Sequence, residues 1–264
     1  VGGQGGGVLS GWIVSVAEAN GYVAQSTSVA GVAQRTGATI YYIEMMPEGE
    51  KPPVFALAPA EGDVDILIAA EMMEAGRAIM RGFVTPDQTT LIASTHRNLA
   101  TVEKVVPGSG ITDTNQVRKA AAAAAREFIA FDMEAMALKA GSVISASLFG
   151  ALAGSGTLPF PVETYRDTIR ASGRGVEKSL AAFDLAYAAA QARETDAAPA
   201  PRASAPDHVN GPARMVQELN NLRTRVAALP EPAQQMAQAG LRKVVDYQDL
   251  AYGATYLDRL EAIA

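Results

Sequence analysis

Cysteine is absent from all 264 residues, and the only imidazoles are His96 and His208, far apart along the chain. Without cysteine the chain cannot form a disulfide, a thiolate zinc site or a cysteine-ligated iron–sulfur cluster of its own. Two distant histidines argue against a metal cage or a histidine-based triad. Positive charge is also in short supply: 22 Lys and Arg stand against 28 Asp and Glu, a net charge of −6. No basic stripe breaks that balance, so an extended nucleic-acid surface, which needs cations to neutralise phosphates, is not expected. Long apolar runs are lacking too. The longest uncharged stretch lies between Lys139 and Glu163 and spans about 23 residues, close to the ~20 that cross a bilayer. Ser142, Ser145, Ser147, Gly150, Gly154, Ser155, Gly156 and Pro159 interrupt it and mark a buried helix ending in a turn. With no basic leader and cleavage site in view, the expectation is a cytoplasmic protein with no membrane partner.

The chain is instead rich in apolar residues and glycine. Hydrophobic residues make up 48% and charged ones 19%, enough for one large domain, or a medium one with a helical appendage. Val1-Gly2-Gly3-Gln4-Gly5-Gly6-Gly7 runs directly into the helical pattern Val8-Leu9-Ser10-Gly11-Trp12-Ile13-Val14. Glycines ahead of a helix let backbone N–H groups approach a phosphate, and the positive helix end favours the anion. Such a turn normally follows a strand, so a first strand ahead of Val1 is expected to be missing.

Apolar spacing predicts helices over 8–19, 71–81, 116–126, 133–139, 143–153, 162–171 and 176–191. Strands are predicted over 22–27, 38–45, 64–70, 89–94 and 127–131, with a turn or short helix over 30–37. This alternation implies an α/β, Rossmann-like fold: a mostly parallel sheet with flanking helices, plus a small C-terminal helical segment. The composition shifts at Glu194 to an Ala/Pro/Ser stretch without apolar periodicity. The expected division is therefore a main domain over 1–192, a linker over 193–213 and a helical segment over 214–264. In that last segment Tyr247, Leu250, Ala251, Ala254 and Leu257 form an apolar face, expected to dock on the main domain or on another subunit.

Several chemistries lack their residues. No G-x-x-x-x-G-K-[ST] loop is present, and Gly108-Ser109-Gly110 and Gly154-Ser155-Gly156 lack the spacing of a nucleophile elbow. A nicotinamide site usually has an acid at the end of the second strand for the ribose hydroxyls. Here the corresponding residues are Ala24-Gln25-Ser26-Thr27-Ser28, without a carboxylate. Asp132 and Glu134 follow a strand and could act as acid and base; as a helix N-cap, Asp132 has the simpler role. Gln34 and Arg35 lie between two strands on the presumed edge of the glycine loop, where Arg35 could clamp a phosphate or carboxylate in bidentate fashion. The alternative is a solvated loop arginine.

Gly2-Gly3-Gln4-Gly5-Gly6, then Gly31-Val32-Ala33-Gln34-Arg35-Thr36-Gly37 leading into Ala38-Thr39-Ile40-Tyr41-Tyr42, resemble the gamma-type domain of 2-oxoacid:ferredoxin oxidoreductases. Together with Ser26-Thr27-Ser28, Ala69-Ala70-Glu71-Met72-Met73-Glu74-Ala75 and Phe131-Asp132-Met133-Glu134, they look most like the beta subunits of the indolepyruvate type, over about residues 1–191. Residues 245–252 also look like the extension of longer members.

The resemblance implies a subunit of an enzyme that converts a 2-oxo acid and coenzyme A into an acyl-CoA, carbon dioxide and two electrons for ferredoxin or another acceptor. Thiamine diphosphate and [4Fe-4S] clusters would sit on a partner alpha subunit, and the substrate would be an aryl 2-oxo acid. Gly3, Gln4, Gly5 and Gly6 would contact coenzyme A phosphates, with Gln34 and Arg35 near the cleft. No catalytic residue and no metal ligand is assigned to this chain. It departs from the family's pattern at Ser28, Ala30 and Thr36, so polar roles at those positions do not carry over. Two other readings stay open: a free-standing NAD(P)-binding oxidoreductase, and a structural subunit without its own ligand.

Overall fold

The computed structural model describes residues 5–29, 39–97, 113–173, 175–193, 209 and 211–263. Among them the chain forms five strands and ten helices. In order they are α1 (Gly6–Ala19), β1 (Tyr22–Val29), β2 (Ile40–Pro47), β3 (Ile66–Ala69), α2 (Met72–Met80), β4 (Thr90–Ser94), α3 (Thr114–Ala124), β5 (Glu127–Phe131), α4 (Met133–Lys139), α5 (Ile144–Ser155), α6 (Val162–Ala171), α7 (Val176–Gln191), α8 (Ala213–Ala227), α9 (Glu231–Tyr247) and α10 (Leu250–Glu261). Contacts divide the chain into two units, Val1–Pro199 and Ala200–Ala264.

In the first unit β3, β4 and β5 form a parallel sheet in that order, with Ile66 beside Thr90 and Thr90 beside Glu127. All five residues of the central strand β4 are buried, as expected of a parallel strand covered on both faces. Alternate side chains feed two cores. Ile66, Ile68, Ile92, Ile129 and Phe131 join α1, α5, α6 and α7 on one side. Leu67, Leu91, Ala93, Phe128 and Ala130 meet α2 and α3 on the other. This is the α/β class that the alternation implied.

Strands β1 and β2 depart from the parallel pattern. They pair antiparallel, from Tyr22 opposite Pro47 to Val29 opposite Ile40. The residues between them are fewer than the dozen or so that a parallel crossover needs. Tyr22, Ala24, Ile43 and Met45 point one way, into the core with α1. On the other face the side chains of Gln25 and Thr27 donate to the carbonyls of Ala56 (3.1 Å) and Leu57 (2.9 Å), while Glu44 Oε2 accepts from the Ala56 amide at 2.6 Å. Tyr42 O–H donates to the other oxygen of Glu44 at 2.5 Å. Burial, then the Glu44 carboxylate, push the Tyr42 phenol up to about 12 from its usual 10.0.

The closest helix contact in the first unit is made by what two residues lack. A Cβ at Gly150 of α5 would collide with the Phe183 carbonyl oxygen of α7, and one at Gly154 would lie 2.5 Å from that of Tyr187. The glycine spacing thus lets the two backbones touch. Phe149, beside the seam, packs against Trp12, Tyr165 and Phe183 with ring centroids 5.5, 5.0 and 5.9 Å apart. Burial drives the Tyr165 phenol above its usual pKa. Among the described residues no single helix is long and apolar enough to cross a membrane. Helices α4 and α5 reach that apolar length only together, across a bend of 119°, and α5 is almost wholly buried.

The second unit is a three-helix bundle. Leu222, Val226, Leu229, Ala237, Leu241, Leu250 and Leu257 form its core. Arg225 of α8 reaches Asp258 at 2.6 Å and Glu261 at 2.7 Å on α10. Asp249 caps α10 by accepting from the Tyr252 amide at 2.7 Å.

Two measurements check these features. Gly150→Ala is expected to cost about 3 kcal/mol in chemical denaturation, because the added methyl meets backbone that cannot swing away. Gly11→Ala, where nothing lies within 4 Å in mid-helix, should be neutral or stabilising by up to ~1 kcal/mol. The raised Tyr42 pKa means that its hydrogen bond to Glu44 on β2 contributes stability fully below pH 10.0 and stops doing so as pH rises through about 12. The tyrosinate absorbance of wild type minus Tyr42→Phe should therefore titrate near pH 12; a step at the usual phenol value would contradict the assignment.

Candidate functional site

Gly5 opens α1 in the left-handed region, at φ 71°, and its carbonyl accepts the first helical bond, from Leu9, at 3.0 Å. That backbone conformation strains any residue with a side chain, which explains the glycine. A Cβ at Gly6 would lie 2.5 Å from Cε2 of Tyr41, so the helix starts flush against the tyrosine ring. The first-turn amides have no intrahelical carbonyl to bond. No side chain caps them and no acid lies in the first turn.

A second helix starts beside this point. Ser145, in the first turn of α5, is wholly buried, and its Oγ has no hydrogen-bond partner. A Cβ built on Gly5 would stand 3.0 Å from that oxygen. Helix α5 also lacks a side-chain cap and a first-turn acid. Among the seven described helices of the first unit, only α1 and α5 lack both. Asp113 and Asp132 cap α3 and α4, accepting from Asn115 (2.9 Å) and Ala135 (2.8 Å). The cap reading of Asp132 therefore holds. Two positive helix ends that meet at Gly5 and Ser145, with no carboxylate in either first turn, form an environment suited to an anion.

A polar cluster also gathers at the carboxyl ends of β3, β4 and β5. Ser94 Oγ accepts from the Met133 amide at 3.1 Å and lies 2.8 Å from His96 Nδ1. Ser94 is fully buried. The Thr95 amide donates to the Phe131 carbonyl at 3.0 Å, and that of Met72 to the His96 carbonyl at 3.4 Å. Glu71, wholly buried at the start of α2, makes no hydrogen bond through either oxygen, and Arg77 stands 3.7 Å from it while also gripping Glu74. These contacts tie three strand ends into a fixed edge. Among the described residues no group of three or more carboxylates and histidines could hold a metal.

Of the residues expected to contact ligand, Gly5 and Gly6 form the start of α1. Gly3, Gln4, Gln34 and Arg35 lie outside the described residues. Sequence reasoning missed Tyr41, Glu71, Ser94 and Ser145 as neighbours of these edges. The one available signal was a pair of serines, Ser145 and Ser147, inside an otherwise apolar helical stretch.

A family model described as pyruvate ferredoxin/flavodoxin oxidoreductase matches residues 1–189. The chain is similar to the indolepyruvate oxidoreductase subunit IorB of Pyrococcus horikoshii, with 29% identity over 209 residues that cover 72% of this chain and 93% of that protein. The subunit IorB of Thermococcus kodakarensis is 28% identical with the same coverage. Among solved structures, a pyruvate oxidoreductase subunit from Thermotoga maritima is similar at a TM-score of 0.49 and 18% identity, over 70% of this chain and 90% of that one.

Ser94→Ala would leave the buried Met133 amide without its acceptor. The expected cost is about 1–3 kcal/mol of unfolding free energy in a urea titration. A loss below ~0.5 kcal/mol would show that the clip does not hold the edge.

Proposed function

The chain belongs to the pyruvate ferredoxin/flavodoxin oxidoreductase family and is a subunit of a 2-oxoacid:ferredoxin oxidoreductase, and from that premise we propose that it is the non-thiamine subunit of an indolepyruvate oxidoreductase. The names of both similar IorB subunits support the aryl 2-oxo acid. In the overall reaction the substrate carboxylate leaves as carbon dioxide and the acyl group bonds to the coenzyme A sulfur. The thiol proton is released and two electrons pass to ferredoxin. Thiamine diphosphate and iron–sulfur clusters belong to the alpha subunit in this reading, and a chain with no cysteine to ligate a cluster is consistent with it.

This chain's part is to hold coenzyme A by its phosphates. The observation that carries the assignment is the uncapped, acid-free, glycine-built start of α1, where free amides and the helix dipole favour an anion. The residues fit the group: a side chain at Gly5 would fill the space beside Ser145 Oγ. In this reading Gly3, Gln4, Gly5 and Gly6 contact the coenzyme A phosphates, with Gln34 and Arg35 close to the cleft. The chain then binds and orients the thiol carrier while its partner breaks the carbon–carbon bond.

The test is to purify the native complex, confirm that a brown, thiamine-containing polypeptide co-elutes, and assay indolepyruvate-dependent acyl-CoA formation with and without this subunit. Turnover at full rate without it would sink the proposal. Arg35→Ala should raise the KM for coenzyme A several-fold and leave kcat close to wild type, as expected when uniform binding is lost. Unchanged kinetics would remove Arg35 from the site.

A further inference from the structure

We infer that Ser145 is a ligand-binding residue, and that the phosphate is gripped between two helix N-termini, α1 and α5, rather than by the glycine turn alone. The inference deepens the coenzyme A reading and rests on it.

It comes from a hydroxyl with nothing to bond. Ser145 Oγ is buried and makes no hydrogen bond. Burying a hydroxyl unpaired costs free energy, and a serine in the first turn of a helix can normally avoid that cost by turning to water or to a nearby carbonyl. Here it faces Gly5, at 3.0 Å from the position of the missing Cβ. Glycine at this point places no side chain between the hydroxyl and the start of α1, whose first-turn amides have no intrahelical partner. A phosphate oxygen at those amides would accept from the Ser145 O–H as well. Helix α5 adds its own positive end, again with no cap and no carboxylate in the first turn. The ligand class is a phosphate mono- or diester, whose several acceptor oxygens can meet donors from two directions.

The test uses the native complex assembled with its partner subunits and measures coenzyme A binding by calorimetry and amide exchange. Ser145→Ala should raise the Kd for coenzyme A roughly tenfold, the effect of losing one hydrogen bond to a charged group. The kcat at saturation should be unchanged and the melting temperature should not fall, since the deleted hydroxyl bonds nothing within the protein. A purely structural serine would show the reverse, a lower melting temperature with unchanged affinity, and would overturn the inference. Ser147→Ala is the control. It also removes a buried, partnerless hydroxyl, but one projecting about 200° around the helix from Ser145, and it should leave the Kd unchanged.

The phosphate concerned follows from repeating the titration with 3′-dephospho-coenzyme A. If the effect of Ser145→Ala persists, the pyrophosphate is held; if it vanishes, the 3′-phosphate is. Either result supports the two-helix grip. In wild type, coenzyme A should slow amide exchange over residues 5–8 and 143–146 together. Protection of 5–8 alone, with the Ser145→Ala Kd unchanged, would refute the inference and spare the glycine cradle. Protection of neither segment would refute both.

Discussion

The first unit depends on a steric permission: at Gly150 and Gly154, α5 has no side chains to hold it away from the backbone of α7. Backbone contact along this seam lets Phe149 reach Trp12, Tyr165 and Phe183, and these rings belong to the core that covers one face of the parallel sheet. The same constraint acts at the other end of the helix. With α5 pressed onto α7, its first turn is held where Ser145 meets Gly5. Packing and the candidate site are thus two ends of one rigid element, whose position is set by two missing methyl groups.

Electrostatics then separates the helix starts by role. Helices α3 and α4 begin with an aspartate that accepts a first-turn amide, Asp113 and Asp132, while α2, α6 and α7 carry a glutamate in the first turn. Helices α1 and α5 have neither, and a side-chain cap alone typically stabilises a helix by ~1 kcal/mol. Two uncapped ends placed together repel one another's positive poles, and an anion between them relieves both. The nearby sheet edge is built in the opposite sense. Ser94, His96 and the Met133 amide satisfy one another, so that edge forms a fixed support. Such a division suits a subunit that binds and orients a carrier and leaves bond breaking to another chain.

Much of the fold was legible because its elements depend on local pattern. Strand 127–131 and helices 133–139, 162–171 and 176–191 have the bounds that their periodicity predicted. The antiparallel pairing of β1 with β2 was not legible, because alternating elements imply crossovers and the pairing is settled by loop length and by which face meets α1. The glycine-led start of α1 was readable from residue type alone. Ser145 was not, since its meaning depends on a contact across about 140 positions that no local spacing encodes. Glu71 escaped for the same reason: a glutamate at a helix start normally faces water, and only the packed edge buries it.

The most direct test of the central claim is the structure of the assembled two-subunit enzyme with coenzyme A bound. The account predicts a phosphate group within hydrogen-bond reach, about 3 Å, of the Gly6 and Gly7 amides and of Ser145 Oγ at once. Coenzyme A with every phosphate held by the partner subunit, and none at the start of α1, would contradict it.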